Sequence, residues 1–165
     1  VIVVCDASPI IGLSAVGKLS LLHQLYRNIV VPESVAREVA ADGSGLPGTD
    51  ALQGSDWITV QPVGDSVLLR ALDAELDRGE AEAIALAVEL RADLLLIDER
   101  RARKVALRFD LSVVGVLGVL VEAKRKKLLP TVRPVLDDLL THAGFRIGSD
   151  LYASVLRAAG EESER

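Results

Sequence analysis

Short, wholly apolar runs alternate along this chain with longer stretches spaced like helices, and two of those runs stop directly on an aspartate. The first, VIVVC at Val1 to Cys5, leads into Asp6, Ala7, Ser8 and Pro9; the second, LLLI at Leu94 to Ile97, leads into Asp98. Unbroken apolar runs of this length, bounded by polar and turn residues, predict strands buried on both faces, as in parallel sheets covered by helices. Asn28 to Pro32, Trp57 to Val60 and Ser112 to Gly115 predict further strands. Between them the spacing predicts a helical turn over Pro9 to Leu13 with Ser8 as N-cap, and helices over 18–26 and 33–41. Two segments, 66–77 and 80–91, read as helices punctuated by Gly79. Helices are also predicted over 99–108 (Ala102, Val105, Ala106 and Phe109 inward), 117–127, 130–142 and 151–159. Asp42 to Gly54, with GSGLPG at its heart, reads as a loop.

This alternation predicts one α/β domain over residues 1–160, a three-layer α/β/α sandwich around a central parallel sheet, with 161–165 as a frayed tail. The length of 165 residues suits a single core. The chain is 50% hydrophobic and 26% charged, which excludes a disordered or fibrous class, and with 3% aromatics the core must be aliphatic. No apolar run approaches the roughly 20 residues of a membrane span, and no signal peptide is predicted. Cys5 is the single cysteine, so no internal disulfide can form, which fits a cytoplasmic location. It reads as an inert buried thiol. The net charge of −5 argues against non-specific coating of nucleic acid, while leaving room for a local basic patch.

The candidate chemistry lies in carboxylates. In open α/β sheets, ligands bind beyond the carboxyl ends of the strands, where Asp6 and Asp98 would both emerge. Glu38, Glu80, Glu82 and Glu99 stand near helix ends that would face the same edge. Carboxylates gathered at ~5 Å repel by a few kcal/mol at an effective dielectric near 20, so either some hold protons or a divalent cation neutralises them. Oxygen-only donors suit Mg²⁺ or Mn²⁺, which leave positions open for phosphate oxygens. Each acid has a second reading. Asp98 could cap the following helix, Glu80 and Glu82 could favour a helix dipole, and Glu38 could sit on a solvated face. Asp6 resists that reading, because Ser8 is expected to do the capping. Arg100, Arg101 and Lys104 could grip phosphate beside Asp98 or form solvated ion pairs. His23 and His142 stand alone, and Trp57 reads as a packing anchor.

DASPII, VPESVAREV, RGEAEAIALAVELRADLLLIDERRARKVA and SVVGVLGVLVEAKRKKLL, in that order, resemble a PIN domain of the VapC-like branch. The resemblance runs from Val1 to about Leu129 and continues through AGFRIGSDLYASVL. It implies a Mg²⁺- or Mn²⁺-dependent ribonuclease, often a homodimer and the toxin partner of an antitoxin protein. It places the family's acids on Asp6, Glu38, Glu82 with Glu80 beside it, and Asp98 or Glu99, with Ser8 in support. Ile97 stands where the family usually has threonine, and a glutamate stands at 82 in place of aspartate.

Other nucleotide and phosphate folds are excluded by their motifs. No G-x-G-x-x-G follows the first strand, and GSGLPG lacks the lysine and hydroxyl of a P-loop. A dehalogenase-type phosphatase would need an aspartate where Ser8 stands. The rival class is a non-catalytic PIN-like module that holds RNA or an antitoxin peptide without cutting it.

Overall fold

A computed structural model describes residues 1–42, 52 and 54–161. Five parallel strands form one sheet in the order β3-β2-β1-β4-β5. They are β1 (Val3–Cys5), β2 (Ile29–Pro32), β3 (Ile58–Gln61), β4 (Leu94–Leu96) and β5 (Val113–Val114). Nine helices are present among the described residues. Before the chain's midpoint come α1 (Ala7–Ala15), α2 (Ser20–Tyr26), α3 (Glu33–Asp42) and α4 (Val67–Asp73). α5 (Arg78–Leu90) spans it, and after it come α6 (Arg100–Leu107), α7 (Val116–Arg125), α8 (Arg133–His142) and α9 (Ser149–Ala158). The α/β sandwich with a central parallel sheet is therefore the fold, and the apolar runs became its strands. Most of the predicted GSGLPG loop lies outside the described residues.

Alternation along the strands sorts the core into two layers. Val3 and Cys5 of β1, Ile29 and Val31 of β2 and Leu96 of β4 pack with α1, α2, α3, α7, α8 and α9. Val4 and Leu95 point the other way, into Leu69, Leu72, Ile84 and Val105 of α4, α5 and α6. With so few aromatics, closeness comes from small residues. Ala81, Ala83 and Ala87 of α5 are wholly buried, which lets that helix lie tight on the sheet.

Several local expectations are corrected. Helix α1 begins at Ala7, one residue before the expected cap, so Asp6 occupies the N-cap position and Ser8 lies inside the first turn. Between α4 and α5 the break falls at 74–77. Asp77 accepts the Glu80 N–H at 2.9 Å and its own N–H reaches Glu80 Oε1 at 3.3 Å, a reciprocal capping box that puts Gly79 within the helix. Phe109, expected inward, is 37% exposed because α6 ends at Leu107 and the chain turns there. Glu161, expected to fray, is instead pinned: its carboxylate accepts the Val132 N–H at 2.7 Å, the Arg133 N–H at 3.2 Å and Lys124 Nζ at 2.9 Å. Trp57, read as a packing anchor, stacks on His23 with ring centres 5.0 Å apart.

Candidate active site: a carboxylate cluster at the sheet edge

β1 and β4 are neighbours in register, Cys5 opposite Leu96, and the Asp6 N–H bonds the Leu96 carbonyl at 2.9 Å. Asp6 and Asp98 thus emerge from adjacent strands at the same edge of the sheet. They lean to opposite faces, as their one-step difference in phase requires. Asp6 follows Val4 toward α5. Asp98 follows Leu96 toward α7, where its Oδ1 accepts the Val116 N–H at 2.8 Å.

Asp6 is 5% exposed and lies in a ring of acids. Gly79 marks its centre. A Cβ at that position would stand 3.1 Å from Glu38 Oε1, 3.7 Å from Asp6 Oδ1 and 3.7 Å from Asp77 Oδ1. Three carboxylates therefore close on one point from β1, α3 and the cap of α5. Burial first, and then Glu38, Glu80 and Asp77, together push the Asp6 carboxyl up to about 7 against the opposing Ala7 N–H. Glu80 is raised in the same way, by burial and then by Asp77, Glu99 and Glu38. Glu99, whose side chain accepts the Arg101 N–H at 3.3 Å and caps α6, completes the group. The acids brought together are Asp6, Glu38, Asp77, Glu80 and Glu99.

Two predicted ligands sit differently. Glu82 is 4% exposed and already engaged: Oε1 accepts Ser34 Oγ at 2.8 Å and the Ser34 N–H at 3.4 Å, and Oε2 accepts Arg78 Nε at 2.8 Å. Asp98 does not cap α6, since Glu99 does. It ties the start of α7 to β4 and stands by Arg103, while its Oδ2 is buried without a partner. Burial raises the Asp98 carboxyl; the Val116 N–H and Arg103 pull it back. Gly115 permits this approach, because a Cβ there would stand 2.7 Å from Asp98 Oδ1 and 3.1 Å from Arg103 Nη1. Asp77 escapes a reading of the sequence for acids at strand ends, although D-x-x-E before an alanine-rich run signals a capping box.

Above the cluster lies an open cleft of about 1250 Å³. Its lining includes the acids Asp77, Glu80, Asp98 and Glu99, the hydroxyl of Ser8 and the cations Arg100, Arg103, Lys104 and Arg146. Arg101, expected among the cationic contacts, is absent from that lining, and Arg108 pairs with Glu75 at 3.2 Å. Arg103 and Arg146 join Arg100 and Lys104 in the lining. Cys5, beneath both aspartates, is wholly buried, and its thiol is held well above the usual range by burial and by Asp6 and Asp98.

The donor set fits a hard divalent cation: oxygen only, rich in carboxylates, and with the Asp6 carboxyl raised by burial and by several like-charged neighbours. Among the described residues, no three acid, histidine or cysteine side chains already stand in a closed metal-binding group. Asp6, Glu38 and Glu80 are the residues placed to hold such an ion. Asp98 Oδ2, buried without a hydrogen-bond partner among the described residues, is a further oxygen near the cleft.

A family model described as a PIN domain matches residues 2–161. The fold is similar to that of a PilT N-terminus domain protein from the hyperthermophilic archaeon Sulfolobus solfataricus P2. The two are 18% identical, the match covers 74% of this chain and 93% of that one, and the TM-score is 0.50. No curated protein matches the sequence. Among the described residues no helix is long and apolar enough to cross a membrane.

Proposed function

The chain belongs to the PIN-domain family, whose members are commonly nucleases, and from that premise we propose that it is an endoribonuclease dependent on Mg²⁺ or Mn²⁺. The observation that carries the reading is the convergence of Asp6, Glu38 and Asp77 oxygens on Gly79, beside a cleft whose lining includes Asp77, Glu80 and four cationic side chains. A buried carboxyl surrounded by like charges is costly to a fold, and a dication that draws the charges together removes the cost.

Asp6, Glu38 and Glu80 would hold the ion. When bound, it would supply an activated water and stabilise charge on the leaving oxygen. The chain's own side chains do the rest. Arg100, Arg103, Lys104 and Arg146 draw phosphate oxygens into the cleft. Asp98, fixed by the Val116 N–H, stands beside Arg103 and favours its charge there. Glu80 lines the cleft, so an ion it holds would face the phosphate. Ser8, on the cleft wall, is placed to contact phosphate. RNA as substrate, a toxin role, an antitoxin partner and a homodimer come from the family likeness. Growth arrest on expression, relieved by a co-expressed neighbouring small protein, is the expected sign of the toxin role, and its absence would contradict that role.

Cleavage of a labelled single-stranded RNA with Mn²⁺ tests the enzyme. The wild-type protein should cut it and chelation should stop it. Asp6→Asn should abolish cutting while the circular dichroism spectrum stays unchanged. Equal cutting by Asp6→Asn would reject the assignment, and an inert wild type would favour the binding-module alternative.

A further inference from the structure

Glu82 is the most deeply engaged acid outside the cluster. It lies three residues after Gly79 on α5, and its partner Ser34 lies four residues before Glu38 on α3. On a helix those spacings keep residues on one face. The Ser34–Glu82 contact is therefore the next turn along the same α3–α5 seam at which Glu38 approaches Gly79. Ser34 donates to Glu82 Oε1 from both its hydroxyl and its backbone N–H. Arg78, itself paired with Asp73, holds Oε2 from the other side.

We propose that Glu82 is a positioning residue: by clamping Ser34 to α5 it fixes α3 against that helix and so sets the distance of Glu38 from Asp6 and Glu80. Ser34 and Arg78 donate to both of its oxygens, so its charge is satisfied inside the seam. The part of the proposal that concerns the ion rests on the metal-dependent reading above.

The test compares Glu82→Gln, Ser34→Ala, the double variant and Leu136→Ala. The last removes a wholly buried side chain on α8 and serves as a control for lost stability. The readouts are amide hydrogen exchange of α3 and the half-saturation of the Mn²⁺-induced rise in melting temperature, neither of which needs turnover. Glu82→Gln and Ser34→Ala should each speed exchange in α3. Each should also raise the half-saturation on the order of tenfold, as loss of partners behind metal ligands commonly does. The double variant should be no worse than the poorer single one, because both remove the same clamp. Leu136→Ala should leave the half-saturation unchanged. The proposal is overturned if Glu82→Gln abolishes the response while Ser34→Ala spares it, since that marks a direct ligand, or if α3 exchange is unaltered in both. A wild type that ignores Mn²⁺ would sink the metal reading, and the exchange data would still decide whether Glu82 fixes α3.

Discussion

At the scale of single residues, Asp6 is a buried carboxyl among like charges. Its carboxyl, ordinarily near 3.8, is raised to about 7 in the folded chain. The folded state then binds a proton more tightly than the unfolded one, so the stabilising contribution is complete below pH ~4 and is lost as pH rises toward 7. A rise of that size corresponds to roughly 4 kcal/mol as an order of magnitude. Metal-free protein should therefore melt at a higher temperature at pH 5 than at pH 7.5, and Asp6→Asn should flatten that difference; an equal slope in both would contradict the burial argument. The choice among neighbouring acids was the hardest part to read from sequence. Positions 80 and 82 both fall early in α5, but residues two apart on a helix do not share a face, and only the folded seam shows that Glu80 meets Asp6 while Glu82 meets Ser34. Asp98 and Glu99 pose the same problem at a strand end, where one step changes the side of the sheet.

Between elements, close approaches do the positioning. Gly79→Ala should favour α5 intrinsically by up to about 1 kcal/mol, but its methyl would stand 3.1 Å from Glu38 Oε1 and push that side chain aside. The expected result is an unchanged or higher melting temperature without metal and a smaller rise with Mn²⁺; an undiminished rise would show that Glu38 is not a ligand. Glu161 ties the end of the chain to the starts of other elements, accepting two N–H groups at the head of α8 and Lys124 from α7. Glu161→Ala should destabilise by about 1–3 kcal/mol, the usual cost of orphaned buried donors, measured by urea unfolding, with no effect on Mn²⁺ half-saturation. The strands and most helices were legible because apolar period and length speak for them. The boundary at α1 was not: a serine before proline looks like a cap, yet the structure starts the helix at Ala7 with Asp6 at its head.

Across the whole molecule, an acidic chain brings four cationic side chains, Arg100, Arg103, Lys104 and Arg146, into the lining of one cleft. Lys104→Ala or Arg146→Ala should weaken RNA binding and shallow its salt dependence by about one unit of slope. Arg101→Ala, outside the cleft lining, should do neither. Fluorescence anisotropy across a salt series separates these outcomes, and a comparable loss on Arg101→Ala would move the substrate path. The β-α alternation foretold the sheet and the edge at which Asp6 and Asp98 emerge. It could not foretell which basic side chains face the cleft, because Arg146 arrives from a segment distant in sequence. What unites these observations is a dication among the acids at that edge. Anomalous diffraction from a crystal soaked in Mn²⁺ tests it most directly: a peak among Asp6, Glu38 and Glu80 is the predicted result, and a fully soaked crystal with density elsewhere, or none, would contradict it.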